Sequence, residues 1–276
     1  MPEREHYTNI CIDSLLNQKF DKNYEIILAQ HPDYGYKVPF TTPENITIRK
    51  IDSGKHLSAK RNDILMHAKG KYILFIDDDA FADDSWLNIM VSGAEKNGSD
   101  IFWGSIKPIF EKELPEDLMP FEMYIGGFHY DINGNLRRKG IIGCNFGIRK
   151  GLNHYRGRFI DSLGRGSKIR GGEENLFLKE YLGDRINFLQ NAIVYHHIQS
   201  DKLNFKYIIY NQLNNAKSNT YMNKIIGSSN RKFIITTLLN LGKSLLPQEH
   251  YWKHLILSIY RSVGLFIGIF MYDVSN

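Results

Sequence analysis

The sequence predicts an α/β fold: an α/β/α sandwich with a mostly parallel central sheet, followed by a helical C-terminal tail. Three observations predict it. Short apolar runs alternate with helical patterns over the front two-thirds of the chain, as in parallel sheets crossed by helices. The clearest apolar run, Tyr72 to Ile76, leads straight into Asp77-Asp78-Asp79. After Asn204 the pattern is helical only.

The elements follow in order. Ile10 to Asn17 reads as a helix, Tyr24 to Ala29 as a buried strand, and Ile46 to Ile51 as a weaker one. Leu57 to Ala68 has helical spacing at Leu57, Ile64, Leu65 and Ala68 and stops at Gly70. A helix from Ser85 to Ala94 is capped by Asp84 or Ser85 and turns Trp86, Leu87 and Met90 inward. Asp100 to Trp103 is a short strand. Residues 107–138 read as a long loop, punctuated by Pro108, Pro115, Pro120, Gly126-Gly127 and Asn133-Gly134. Ile141 to Ile148 returns to core-like sequence, Gly171-Gly172 opens a helix through Leu182, and Ala192 to Tyr195 is a last strand ending at His196-His197. The expected division is a domain over 1–230 and a tail over 231–276.

Bulk properties narrow the function. With 276 residues, 42% hydrophobic and 24% charged, the chain can bury one sizeable core. Its two cysteines, Cys11 and Cys144, form no CxxC pattern, which excludes a disulfide framework or thiolate zinc site and suits a reducing compartment. The net charge of +5 fits an anionic partner such as a nucleotide diphosphate or an anionic lipid surface. Basic residues are scattered, with short clusters such as Arg137-Arg138-Lys139, so no nucleic-acid partner is expected. No secretory signal is visible near Met1. The apolar stretch from Leu255 to Tyr272 is interrupted by Arg261, and the remainder is shorter than the ~20 residues of a spanning helix. Docking on a membrane surface is expected, and a full crossing is not.

The three aspartates carry the chemistry. In parallel α/β sheets ligands bind beyond the carboxyl ends of strands, where these residues fall. Adjacent carboxylates repel, so they are tolerated in solvent or around a cation. Mg²⁺ or Mn²⁺ takes one or two such carboxylates together with substrate phosphates. Alternation places the side chains of Asp77 and Asp79 on one side of an extended segment. An acidic turn capping the next helix is the plain alternative. A haloacid-dehalogenase-like phosphatase is a further one, disfavoured because Phe81 stands where that family has threonine or valine.

Ile12 to Gln18, Tyr24 to Ile27, Ser58 to Asn62, Ala68 to Asp79, Gly171-Gly172-Glu173-Glu174 and Val194 to His197 together resemble the family 2 glycosyltransferases. The match runs in consistent order over roughly residues 10 to 220. It is similar to the bacterial exopolysaccharide and lipopolysaccharide members. The resemblance implies a GT-A, Rossmann-like fold and inverting transfer from a nucleotide diphosphate sugar, expected to be a UDP-sugar. The acceptor would be a hydroxyl of a growing cell-surface glycan or a lipid-linked molecule. It also implies a cytoplasmic protein, peripheral on the inner face of the plasma membrane.

Carried over by position, Asp77 contacts the ribose, with Asp78 beside it. Asp79 holds Mn²⁺ or Mg²⁺ on the diphosphate, and His196 completes the metal shell, with His197 able to exchange roles with it. Lys60 and Arg61 lie beside the nucleotide. Glu174 takes the position of the catalytic base, with Glu173 as fallback, although acids in a first helical turn are also favoured by the helix dipole alone. Trp103 and Gly143-Cys144-Asn145 would shape the sugar and acceptor pocket, although core packing accounts equally well for Trp103. The sequence departs from the family in two places. The family's opening apolar strand is missing before the first helix, and Ala29-Gln30-His31 replaces the acids that end the next strand. Either the true start lies upstream of Met1, or these losses mark a second reading: a non-catalytic, N-terminally truncated remnant serving as a binding or assembly partner.

Overall fold

A computed structural model of the chain describes residues 2–39, 41–125, 143–151, 158–180, 185–244 and 250–270. Helix α1 spans Pro2–Leu16, starting earlier than the apolar pattern indicates. Pro2 suits a first turn, where its missing N–H costs nothing, and Glu5 complements the helix dipole. Strands β1 (Tyr24–Gln30) and β2 (Ile46–Asp52) follow, then helix α2 (Leu57–His67) and strands β3 (Tyr72–Phe75) and β4 (Ala80–Ala82). Next come α3 (Trp86–Asn97), β5 (Ile101–Phe110), β6 (Phe146–Arg149), α4 (Glu173–Glu180) and β7 (Ile186–Ile198). Three helices close the order: α5 (Phe205–Ile225), α6 (Arg231–Ser244) and α7 (Tyr251–Phe270).

The α/β layering holds, and its parallel character is narrower than expected. β1 and β2 pair in parallel as a two-stranded sheet. The other five form a mixed sheet in the order β3-β6-β5-β7-β4, in which only β5 and β7 run parallel. The short strands β4 and β6 are the antiparallel insertions. β4 is three residues bent back from the aspartates, and four-residue β6 returns between β3 and β5, too brief to announce its direction by composition. The expected loop from residue 107 begins as strand, because Lys107 to Phe110 continue β5 alongside Tyr195 to Ile198, and a 3₁₀ helix then occupies Glu116–Tyr124. Gly126-Gly127, Asn133-Gly134, Arg137-Arg138-Lys139, Ile141 and Leu182 lie outside the described residues.

The sheet is clamped on both faces. One core gathers Ile73, Phe75, Ile101, Phe146, Ile148, Phe159 and Phe177, and the other gathers Trp86, Leu87, Met90, Phe102 and Val194. Alternation along β3 sends Ile73 and Phe75 to the first core and Tyr72, Leu74 and Ile76 to the second. Between Gly104 and Ser105 the β5–β7 register skips, leaving carbonyls without ladder partners. Asn145, buried, repairs this by donating from Nδ2 to Ser105 O at 2.7 Å and Ala192 O at 2.9 Å, while its Oδ1 accepts from Trp86 Nε1 at 2.8 Å.

α7 lies along α5, with Gly264 against Leu213 and Ala216 and Gly268 against Lys217 and Thr220. The helix continues through Arg261, which interrupts the apolar stretch in the sequence. Trp252–Phe270 is thereby long and apolar enough, by length and composition, to cross a membrane.

Asn145→Leu strands two carbonyls and the Trp86 indole in the core. Unfolding in urea is expected to show a loss of at least about 3 kcal/mol, since three buried polar groups are orphaned at about 1–3 kcal/mol each.

Candidate active site

The tip of β3 and the start of α4 face each other across one cavity of about 470 Å³, lined by Asp77, Glu173, Glu174, His196, Arg61 and the α5 helix among others. α4 is aimed by Gly171 and Gly172, whose φ angles of 84° and 87° suit glycine. A side chain on Gly172 would also press on Met222. Leu176 and Phe177 bury the inner face of the same helix, and Phe177 stacks on Phe159 at 4.2 Å. Its first turn therefore presents both glutamates to the cavity.

Arg61 joins the two halves. It is 3% exposed, donates to Glu173 Oε1 at 2.9 Å and to Gly143 O at 3.2 Å, and lies 3.7 Å from Asp77 and 3.9 Å from Glu174. Its guanidinium also sits over the rings of Phe146 and Phe159. Gly143 is required here, because a Cβ would fall 2.1 Å from Arg61 Nη2. Burial penalises this charge, but Glu173, Asp77 and Glu174 more than restore it. Glu173 thus keeps a fixed partner in Arg61. Glu174 is pushed up to about 8, first by burial and then by the charge of Glu173.

The aspartates divide their work. Asp79 is 1% exposed, and its Oδ1 lies 3.4 Å from His196 Nε2, with neither atom holding a hydrogen bond. Burial would raise the Asp79 carboxyl, but His196 and then Arg4 outweigh it and hold it well below the usual range. Asp78 moves the other way, raised chiefly by burial. Arg4 of α1 pairs with Asp78 and reaches Asp79 Oδ2 at 3.1 Å. Arg165, half-buried, adds positive charge toward Asp77 and Asp79. Tyr7 of α1 packs its ring 5.0 Å from that of His197, so the first turns of α1 cover this end.

The structure thus brings Asp77, Arg61, Glu173, Glu174 and His196 to one cavity, with Asp79 outside the lining, beside His196 and paired with Arg4. Lys60 stands apart from the cavity lining, its ammonium 5.4 Å from the Tyr34 ring and depressed by burial. Trp103 packs beside Phe188 at the core margin, and Asn145 serves the sheet. Among the described residues no group of three or more His, Cys, Asp or Glu side chains is arranged to hold a metal. Two orphaned donor atoms, Asp79 Oδ1 and His196 Nε2, do share a gap that suits two ligands of one divalent cation, with phosphate oxygens supplying the rest. Sequence reading missed Arg4 and Arg165, because a single arginine in a helix or loop carries no signal of its carboxylate partner.

Comparison with known proteins agrees with this geometry. The Glycosyl transferase family 2 model matches residues 3–156. The chain is 33% identical over 116 residues to a Poly(ribitol-phosphate) beta-glucosyltransferase of Bacillus spizizenii, a match covering 39% of this chain and 18% of that relative. The chain therefore spans less than a fifth of that relative's length. The crystal structure of S. aureus TarS 1-349 aligns with a TM-score of 0.50 at 18% identity, over 96% of this chain and 78% of that one. The mannosyltransferase PcManGT from Pyrobaculum calidifontis, in complex with GDP-Man and Mn²⁺, aligns with a TM-score of 0.57 at 9% identity, over 98% and 85%. These likenesses establish the GT-A fold.

Removing Arg61 as Arg61→Met leaves Glu173 buried and unpaired. A stability loss of about 3–5 kcal/mol is expected in chemical denaturation, with partial recovery in the double variant Arg61→Met, Glu173→Gln.

Proposed function

Because the chain belongs to glycosyl transferase family 2, we propose that its cavity performs inverting transfer of a sugar from a UDP-sugar to an acceptor hydroxyl on a cell-surface glycan or polyol chain. The observation that carries this reading is the single cavity into which a strand-end aspartate and two helix-start glutamates both project. The relative named a poly(ribitol-phosphate) glucosyltransferase supports the acceptor class.

The donor diphosphate lies at the Asp79–His196 end and the ribose at Asp77. A divalent cation held by Asp79 and His196 would neutralise charge building on the leaving diphosphate. Arg165 adds fixed positive charge to the same end. Glu174 takes the proton from the acceptor hydroxyl. The freed oxygen attacks the anomeric carbon as the bond from that carbon to the diphosphate breaks, which inverts the anomeric centre. Glu173 is held in place by Arg61, and its position beside Glu174 adds to the burial that raises the Glu174 carboxyl. Opposite the carboxylates, Asn211, Asn215 and Asn219 repeat along one side of α5 and line the cavity with amides suited to acceptor hydroxyls.

A base with a pKa near 8 is mostly protonated at neutral pH. The rate kcat/KM should therefore rise nearly tenfold per pH unit below about 8 and level above it. Glu174→Gln should lower kcat by roughly 10²–10⁴-fold and abolish this rise, without weakening UDP binding. A flat profile in the wild type would remove Glu174 from the role of base.

Arg4 now occupies the place of a cation on Asp78 and Asp79. Calorimetry with UDP and Mn²⁺ is expected to show Mn²⁺-dependent binding that Asp79→Asn weakens more than tenfold and Arg4→Ala strengthens. Absence of any metal-dependent nucleotide binding at millimolar ligand would favour a non-catalytic binding partner instead.

The tail supports a second part of the reading, that the protein works peripherally on the inner face of the plasma membrane. On α7, Ile259, Val263, Phe266 and Phe270 are exposed in one stripe, and on α6 so are Ile235, Leu238 and Leu239. Leu257, Gly264 and Gly268 on the opposite face of α7 are buried. A helix apolar on both faces with one left bare suits the lipid interface. In flotation with anionic liposomes the chain should rise with the vesicles, and the variant Val263→Glu, Phe266→Glu should stay behind. Equal flotation of both would reject the docking.

A further inference from the structure

We infer that Arg170 and Arg261 form an anion subsite on the acceptor side of the cavity and take a phosphate group carried by the acceptor, an assignment that rests on the sugar-transfer reading of that cavity. Among the described residues four arginines line it. Two of them already face acids. Arg61 lies within 3.9 Å of Glu173, Asp77 and Glu174, which are all the acids of the described lining, and Arg165 faces Asp77 and Asp79. Arg170 and Arg261 form no ion pair with any acid among the described residues. Each rests on an aromatic ring instead, Arg170 at 5.2 Å from that of Tyr210 and Arg261 at 5.2 Å from that of Phe233.

The helices bring the two guanidinium groups to one level. α7 runs parallel to α5, since Gly264 meets Leu213 and Ala216 while Gly268 meets Lys217 and Thr220. Arg261, a turn before Gly264, is therefore level with the part of α5 where Asn211 donates to Tyr124 O at 3.2 Å. Arg170 reaches the same turn of α5 by donating to the Tyr210 hydroxyl at 3.3 Å. Between Leu255 and Phe270 no other residue of α7 is charged, so Arg261 is a half-buried cation on an otherwise uncharged stretch of helix. An aromatic face returns only part of the hydration that such a cation gives up, and a hydrogen-bonded anion returns more. Guanidinium forks match the paired oxygens of a phosphate, and arginine keeps its charge throughout the physiological range. Arg170 directly precedes the Gly171-Gly172 turn that aims Glu174, so a phosphate held here keeps the neighbouring acceptor hydroxyls on the side of the base. A phosphodiester within a polyol chain and a phosphate joining a glycan to a lipid present this same chemistry.

The test is calorimetry on the full chain with a short synthetic chain of glycerol phosphate units, the same chain capped as neutral methyl phosphotriesters, and a glucose joined to decanol through a phosphodiester. A phosphate-bearing probe is expected to bind and the capped chain is not. Arg170→Met and Arg261→Met are each expected to weaken that binding by at least about tenfold. Arg261→Met is also expected to raise Tm by a few degrees, because it removes a cation that has no acid partner. A lower Tm with unchanged affinity would make Arg261 a structural prop on Phe233 and overturn its role. Binding of the glycerol phosphate chain assigns the phosphate to a polymer, and binding of the decanol-linked glucose alone assigns it to a lipid carrier. Binding of neither, equal binding of the capped chain, or equal binding of an oligogalacturonate, whose charges are carboxylates, overturns the proposal. UDP with Mn²⁺ on the wild type reports the donor end separately: its failure while a phosphate probe binds removes the sugar-transfer reading and leaves the anion subsite standing.

Discussion

The buried guanidinium of Arg61 is the constraint on which the remaining site geometry depends. A cation taken out of water is tolerated only where acids and dipoles surround it, and here Glu173, Asp77 and Gly143 O supply them from three separate stretches of chain. The pairing fixes the distance between the tip of β3 and the first turn of α4. It also places two adjacent glutamates in unlike settings: Glu173 accepts a hydrogen bond from Arg61, and Glu174 is left desolvated beside it with its carboxyl pushed up. Arg61 acts here as a strut, although its position in the sequence suggests a hand on the nucleotide.

A second charge balance operates at the far end of the cavity. Three consecutive aspartates cannot all face one small volume without compensation, and the fold divides them. Asp77 turns to Arg61, Asp79 to His196, and Asp78 to Arg4. Basic groups thus reach the cluster from α1, α2, β7 and the loop bearing Arg165. The net charge of the whole chain, mildly positive, says little about this local arrangement.

How much was legible in the sequence follows the range of each interaction. β1, β2, α2, β3 and α3 were readable because apolar periodicity is a local property, and the aspartates and the Gly-Gly-Glu-Glu turn were readable because they are contiguous. The antiparallel returns of β4 and β6 were not, since three or four residues hold no directional pattern. The partnership of Arg4 with residues 74 positions away, and of Arg61 with one 112 positions away, exists only after folding. Asn145 reads as a pocket residue, yet two of its side-chain hydrogen bonds serve a register fault in the sheet and the third holds the Trp86 indole, which no reading of residue types foresees. The apolar run of the tail is interrupted at Arg261 because a charge breaks the hydropathy, whereas in three dimensions that side chain turns onto Phe233 and α7 runs on.

Gly264 and Gly268 let the backbone of α7 approach that of α5 at close range, and α5 carries on its other side the amides that line the cavity. Two rods meshed so tightly do not glide past each other by small amounts; the next fit is a helical turn away, about 5.4 Å. The pair therefore acts as a gauge. Whatever α7 rests against, its distance from the cavity wall that α5 forms changes only in whole-turn increments.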